Sequence, residues 1–170
     1  MTAFLLLLPL CATSALADAS QPARSASPGL ALGIEGGRHA SGLGVTALYF
    51  HPLAERPITL SGQLGAGISG AVPRAAVLSA GLGASYGHRH RAVMTAAWGA
   101  LGRSSLLLHG TEVAERTLYG PGLEAGYEYL SDRGLLFRAV AGAGYLSRAW
   151  QEQLARVVPT GSVVLGWKLW

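Results

Sequence analysis

Apolar and small polar residues alternate with a period of two in eight separate segments of this 170-residue chain. Such spacing places apolar side chains on one face of a β-strand and polar side chains on the other. In the segment 118–130, for example, Tyr, Leu and Ala alternate with Gly and Glu. Turn residues separate the segments. The chain is therefore predicted to be all-β, with a single domain of eight antiparallel strands.

The eight predicted strands follow one another with links of unequal length. In chain order they are 29–37, 42–50, 57–70, 75–87, a strand starting near 89, 118–130, 134–146 and a closing strand within 161–170. The links 51–56, 87–89 and 131–133 are short and fall at one end of the predicted sheet. The longest links, about 103–116 and 147–159, fall at the other end. Short turns at one end and longer loops at the other are typical of outer-membrane β-barrels.

The apolar faces of these segments carry almost no charge, and only 13% of the chain is charged while half of it is hydrophobic. A soluble barrel shows the inverse distribution, with bulky side chains inside and many charges outside. Lipid is the simplest solvent for an uncharged outer face. We therefore predict an eight-stranded antiparallel up-and-down transmembrane β-barrel over 28–170, with a soluble secreted β-barrel as the alternative.

The first residues have the features of a secretory signal. An apolar stretch is followed by Ala15, Leu16 and Ala17, which form an A-x-A cleavage site. We expect a signal peptide at 1–17 and a flexible lead-in at 18–27, with a buried N-terminal helix as the alternative. The only cysteine, Cys11, lies within the predicted signal, so the mature chain is expected to have no disulfide or thiol chemistry.

Aromatic residues concentrate near the predicted strand ends, where an aromatic girdle would meet a membrane interface. One rim, on the side of the short turns, is predicted to hold Tyr49, Phe50, Tyr86, Tyr127, Tyr129, Phe137, Trp167 and Trp170. The opposite rim is predicted to hold Tyr119, Tyr145 and Trp150.

Several polar residues fall on the predicted inner face of the barrel. They are Glu35, Gln63, Glu124, Glu128, Arg138 and Lys168, with Arg91 as a further candidate. Charges inside a barrel need partners, and the lumen of an eight-stranded barrel is normally filled by side chains. The set is interpreted as a salt-bridged plug. The alternative is an ion or substrate path, since the many interior glycines leave room for small water-filled cavities.

The closing strand alternates like the others, with Val163, Leu165, Trp167 and Leu169 on one face. Together with the strand count and alternation, it resembles the small eight-stranded outer-membrane proteins: the OmpA-type transmembrane domain, OmpX and OmpW. The closing motif Leu-Gly-Trp-Lys-Leu at 165–169 is similar to their C-terminal motif, although Trp170 adds one residue. The resemblance implies an outer-membrane location, lipids as partners, and recognition by the barrel-assembly machinery through Trp167, Leu169 and Trp170.

The sequence indicates no catalytic, cofactor-binding or metal-binding residues, and a monomer with a structural or surface-interaction role is expected. The alternatives are a narrow channel and a lipid-modifying enzyme of the same fold, similar to lipid A deacylases or acyltransferases. Ser105 and His109, in the long link, are the residues on which such an enzyme would depend. Leu106, Leu107, Leu108 and Val113 flank His109 and Gly110, so this link is also predicted to form a hairpin. The dispersed basic residues do not indicate nucleic-acid binding.

Overall fold

The computed structural model describes residues 27–37, 42–53, 56–69, 75–103, 106–108, 111–113, 117–145 and 157–170. The predicted signal peptide at 1–17 and the lead-in up to residue 26 lie outside the described residues. No helix in the described ranges is long and apolar enough to cross a membrane, a finding that concerns helices alone.

The described residues form ten β-strands. They are β1 (Gly29–Gly37), β2 (Gly42–Pro52), β3 (Ile58–Ser69), β4 (Ala75–Tyr86), β5 (His90–Arg103), β6 (Leu106–Leu108), β7 (Thr111–Val113), β8 (Thr117–Leu130), β9 (Leu135–Tyr145) and β10 (Val157–Lys168). Eight of them form a closed barrel in the order β1-β10-β9-β8-β5-β4-β3-β2. Every neighbouring pair in it is antiparallel. The prediction of an eight-stranded antiparallel up-and-down barrel is confirmed.

The barrel closes where the first and last strands pair. The register of this seam runs from Ala31 opposite Lys168 to Gly37 opposite Ser162. Just past β10, the Leu169 amide donates to the Leu30 carbonyl at 2.7 Å. Each of the eight strands therefore has a neighbour on both sides, so the backbone hydrogen bonds of the described sheet have no open edge between first and last strand.

The short β6 and β7 form a separate two-stranded ribbon between β5 and β8. Leu106 lies opposite Val113 and Leu108 lies opposite Thr111. This is the hairpin predicted for the long link. Residues 109 and 110, which join the two strands, lie outside the described residues.

The last strand begins earlier than predicted. β10 starts at Val157, where the prediction placed a link up to residue 159, and Val157 lies opposite Tyr145 of β9. The prediction treated Pro159 as a loop residue. Pro159 is exposed on the outer face, and the strand continues through it. β10 also ends at Lys168, which leaves Leu169 and Trp170 beyond the strand.

Two glycines shape turns at one end of the barrel. Gly87 follows β4 with φ 120°, and Gly134 precedes β9 with φ 92°, in a region that other residues rarely adopt. At the second turn, the Gly134 amide donates to the Ser131 carbonyl at 3.0 Å. The Leu135 amide donates to the Ser131 hydroxyl at 2.8 Å. We call this end, which holds the turns 53–57, 87–89 and 131–134 together with the start of β1 and the end of β10, the terminus end.

The seam itself can be tested with two of its glycines. A Cβ atom at Gly166 would lie 2.6 Å from the Leu32 carbonyl oxygen and 3.0 Å from the Gly33 Cα atom, whereas a Cβ atom at Gly36 would meet nothing within 4 Å. We expect Gly166→Ala to lower the free energy of unfolding by about 1–3 kcal/mol, because backbone atoms must shift. The matched variant Gly36→Ala should be neutral or stabilising by about 0.5–1 kcal/mol. Urea unfolding measures both, and equal effects would contradict the seam register.

Candidate functional site

The outer face of the barrel is apolar. The described residues include 23 large hydrophobic side chains that are exposed. Five of them, Tyr49, Tyr86, Trp167, Leu169 and Trp170, lie near one end of the barrel and are described below. The other 18 are Leu32, Ile34, Leu43, Val45, Leu60, Leu64, Ile68, Leu78, Leu82, Met94, Trp98, Leu123, Leu135, Phe137, Tyr145, Val157, Val163 and Leu165. Several are about two-thirds exposed, including Leu64 at 67% and Leu82 at 74%. Only nine hydrophobic residues of the described ranges are buried. The protein is thus more apolar outside than inside, the inverse of a water-soluble barrel.

The charged side chains that the structure describes in the barrel strands point inward. Among strand positions whose side chains the structure describes, those facing outward include no Asp, Glu, Lys or Arg. Buried inner positions carry Glu35, Glu124, Glu128, Arg91 and Arg138. Alternation along each strand produces this separation, because successive side chains face opposite sides of the sheet.

An apolar layer fills the lumen near the terminus end. It consists of Ala31, Leu48, Phe50, Leu136 and Val164, with Leu130 packed against it. Phe50 was predicted to belong to the aromatic girdle, and that prediction is wrong. Its side chain is 2% exposed and faces inward, because the neighbouring Tyr49 faces outward and alternation reverses the direction at each step.

A charged cluster, which we call the Glu128 cluster, lies against the apolar layer. Glu128 accepts a hydrogen bond from Arg91 at 3.1 Å on one oxygen, and its second oxygen lies 3.7 Å from Nη1 of Arg138. The Glu128 and Arg138 side chains are each 1% exposed. Arg138 also donates to the Thr95 hydroxyl. One carboxylate therefore joins two guanidinium groups inside the barrel.

Arg91 has further partners that hold it in the cluster. Its Nε donates to the His88 carbonyl at 2.7 Å, and its guanidinium carbon lies 5.9 Å from the centroid of the Phe50 ring. This arrangement combines a charge-assisted hydrogen bond with a cation–π contact. The apolar layer and the Glu128 cluster thus pack on each other rather than forming separate parts of the interior.

A second polar group lies on the opposite wall. Nε2 of Gln63 donates to a Glu35 carboxylate oxygen at 3.0 Å and lies 3.1 Å from the Thr46 hydroxyl. That hydroxyl in turn donates to the Leu64 carbonyl at 3.1 Å. Beside Glu35 is a cavity of about 20 Å³, lined in part by Gly37, Gly44, Gly67 and Ser79. It has room for about one water molecule.

The remaining members of the predicted interior set are Glu124 and Lys168. Glu124 is 3% exposed and lies opposite Thr95 in the β5–β8 register. Lys168 is partly exposed at the terminus end, and its Nζ donates to the Ser27 carbonyl at 3.3 Å. The structure therefore brings Glu128 and Arg138 together, and Glu35 and Gln63 together, while Lys168 joins neither pair.

The predicted set omitted many of the inward-facing residues, and three of those omitted contact the polar groups described above. The Thr46 hydroxyl accepts a hydrogen bond from Gln63 and donates one to the Leu64 carbonyl. The Thr95 hydroxyl accepts a hydrogen bond from Arg138, and the Phe50 ring lies against the Arg91 guanidinium. The period-two pattern already places all three inward, so the signal was present in the sequence. Threonine and phenylalanine were overlooked because they carry no charge.

Aromatic side chains encircle the barrel near the terminus end. Outward members include Tyr49, Tyr86, Phe137 and Trp167, which are 37–51% exposed. Nδ1 of His90 lies 2.5 Å from the Tyr127 hydroxyl, and the His90 ring centroid lies 5.0 Å from that of Tyr129. We call Tyr49, Tyr86, Tyr127, Tyr129, Phe137 and Trp167 the rim girdle. At the opposite end Tyr145 is exposed, whereas Trp150 and the side chain of Tyr119 lie outside what the structure describes.

The three residues of the predicted assembly signal are exposed. Trp167 is 51%, Leu169 50% and Trp170 67% exposed. They lie at the end of β10 and just beyond it, beside the seam with β1. Another protein can therefore reach them from outside the barrel.

The residues that could support catalysis are not described. Ser105 and His109 lie outside the described residues. In the ranges that the structure covers, no group of three or more His, Cys, Asp or Glu side chains is placed to hold a metal ion. No protein-family model matches the chain, and no curated protein matches its sequence.

The Glu128 cluster gives a test of how the interior is stabilised. We expect Glu128→Ala to lower the free energy of unfolding by about 3–5 kcal/mol, because it leaves two buried guanidinium groups without their carboxylate. Replacing all three charges with apolar residues, as in R91M/E128L/R138M, should cost far less or stabilise the protein. Urea unfolding measures both variants.

The exposed ion pair between Arg89 and Asp132 serves as the control for this test. Its side chains are 47% and 63% exposed, so Asp132→Ala should cost no more than about 1 kcal/mol. A Glu128→Ala effect as small as that of Asp132→Ala would contradict a desolvated ion cluster.

Proposed function

We propose that this protein is an integral β-barrel of a bacterial outer membrane, with a structural or surface-interaction role and no catalytic activity. The observation that carries the proposal is the uncharged, apolar outer face of a closed barrel. Lipid is the solvent that such a face requires, because a membrane has no water to solvate charges or open backbone groups.

The size of the apolar face argues against a water-soluble barrel. At about 1 kcal/mol for each half-exposed side chain, the 23 exposed hydrophobic side chains represent roughly 20 kcal/mol of unfavourable hydration. These side chains are exposed in the folded and the unfolded chain alike, so the term favours transfer of the folded barrel from water to an apolar solvent. Contact with lipid removes this cost without changing the fold.

The strand lengths suit a bilayer. The barrel strands contain between 9 residues, in β1, and 14 residues, in β5 and β8. A tilted strand needs about 9–11 residues to cross the hydrocarbon core. Each strand is therefore long enough to span it, with additional residues for the interfaces.

The interior supports a structural role over a channel. Near the terminus end, Leu48, Leu136 and Arg138 are each 0% exposed, so side chains fill this part of the lumen. A small barrel filled in this way has no continuous water path at that level. The two ion-paired and hydrogen-bonded groups then serve to hold the strands together from inside.

The place of the chain among small outer-membrane barrels is part of the proposal. The eight-stranded up-and-down topology and the exposed residues Trp167, Leu169 and Trp170 support a relationship to the OmpA-type domain, OmpX and OmpW. We propose outer-membrane lipids as partners, the assembly machinery as the factor that reads these three residues, and a monomeric state.

A charge placed on the outer face distinguishes lipid from water as its solvent. Leu64 and Leu60 lie on the same face of β3 and are 67% and 44% exposed. In lipid vesicles we expect Leu64→Arg, near the middle of β3, to cost about 2–4 kcal/mol, and Leu60→Arg, near the terminus end, to cost about 0–1 kcal/mol. Urea unfolding of the vesicle-inserted protein measures the difference. A cost below about 0.5 kcal/mol for both variants is the result for a water-exposed surface.

Three experiments distinguish the structural role from the enzyme and channel alternatives. Outer-membrane fractions run on a gel with and without boiling should show a compact band that shifts on heating. Lipid A from cells with and without the gene should have the same mass, and the purified protein should give no conductance in planar bilayers. A changed lipid A mass that Ser105→Ala or His109→Ala abolishes would instead establish the enzyme, and steady conductance would establish the channel.

A further inference from the structure

Each turn at the terminus end carries one arginine. Arg56 lies between β2 and β3, Arg89 between β4 and β5, and Arg133 between β8 and β9. All three are exposed. We call them the turn arginines. Their repetition in three separate turns places positive charge around the rim of the barrel rather than in one patch.

The turn arginines outnumber acidic residues at this end. The sequence of the three turns contains two acids, Glu55 and Asp132. Asp132 pairs with Arg89, and Glu55 lies outside the described residues. His51 and His88 lie at the same end of the barrel. Three arginines against two acids leave the three turns with a net charge of +1, so this rim attracts anions.

The rim girdle lies directly beside the turn arginines and fixes their depth. Tyr86 is three residues before Arg89, and it lies opposite Ile58, which is two residues after Arg56. Tyr129 is four residues before Arg133. At about 3.3 Å per residue, these separations are roughly 7–13 Å along tilted strands. If tyrosine and tryptophan rings mark the edge of the hydrocarbon core, the guanidinium groups fall within or just beyond the headgroup layer, which is roughly 5–8 Å thick.

The chemistry of the side chain identifies the ligand. Guanidinium groups bind phosphate oxygens through paired hydrogen bonds, and arginine does so with better geometry than lysine. We infer that the turn arginines bind the phosphate headgroups of anionic phospholipids in the leaflet at the terminus end. The inference rests on the membrane location proposed above and adds a lipid preference to it.

The two exposed tryptophans at the terminus end provide the readout. In a Trp98→Phe, Trp150→Phe background, Trp167 and Trp170 report lipids around this rim. The full-length protein is inserted into mixed vesicles in which either phosphatidylglycerol or phosphatidylcholine carries bromine on its acyl chains. Contact with a brominated lipid quenches tryptophan fluorescence, so the two quenching curves give the relative association constant of the anionic lipid over the zwitterionic lipid.

We expect the relative association constant of phosphatidylglycerol over phosphatidylcholine to be several-fold above one in the parent protein. It should fall close to one in R56Q/R89Q/R133Q. One basic side chain near an anionic surface changes affinity by about fivefold, so each arginine should make a measurable contribution. Asp132→Asn should raise the constant, because it removes the competing carboxylate. Raising the salt concentration to about 1 M should lower it, since the Debye length falls to about 3 Å.

A matched control distinguishes the two ends of one strand. Arg89 precedes β5 and Arg103 ends it, so Arg89→Gln and Arg103→Gln make the same charge change at opposite ends of the barrel. Only Arg89→Gln should lower the constant. The heat-shifted compact band verifies that each variant is folded, and the Asp132→Asn arm tests the inference if the triple variant does not fold.

The outcomes separate the two proposals. A constant near one in the parent protein, or a preference that R56Q/R89Q/R133Q leaves unchanged, would overturn the headgroup site while the membrane location stands. If neither brominated lipid quenched Trp167 and Trp170, the membrane location itself would be overturned.

Discussion

Closure of the sheet through hydrogen bonds between β1 and β10 is the constraint on which the rest of the structure depends. Once Ala31 lies opposite Lys168 and Gly37 opposite Ser162, the sheet has an inside and an outside. The backbone groups are paired around the ring, so the side chains alone decide which solvent each face accepts. Alternation then assigns every residue of the barrel strands to one face. A chain with one uncharged face must place all its strand charges in the lumen.

Two groups of contacts stabilise the buried charges inside the barrel. Near the terminus end, one carboxylate is shared by Arg91 and Arg138, and Phe50 covers the first of them. On the opposite wall, Gln63 links Glu35 to Thr46. Towards the other end, glycines such as Gly44 and Gly67 replace bulky side chains, because their backbones approach too closely for a Cβ atom. The lumen is therefore filled by side chains near the terminus end, whereas glycines line a cavity of about 20 Å³ beside Glu35.

The two ends of the outer face also differ in chemistry. Aromatic rings and turn arginines combine at the terminus end, while the apolar belt between the rims carries no charge at any described position. An apolar belt, an aromatic girdle and a basic rim correspond in order to hydrocarbon, interface and phosphate. This order supports the proposed function more directly than the interior does, because the ion pairs and hydrogen bonds of the interior set are made among residues inside the barrel.

Local sequence determined the strand positions, their number in the barrel and the face of most residues, because alternation acts over a few neighbouring residues and needs no distant partner. It also indicated the interior set, since the same alternation places those charges on the inner face. Assignment by residue type was wrong at Phe50, an aromatic residue that the alternation itself places inward, and at Pro159, where a proline inside β10 was taken for a loop residue. Only the tertiary structure decided that Glu128 pairs with Arg91 and Arg138 while Lys168 stays apart, that Gln63 bridges Glu35 and Thr46, and where β10 begins. These features depend on the register between strands far apart in sequence, which closure of the ring fixes and no single segment encodes.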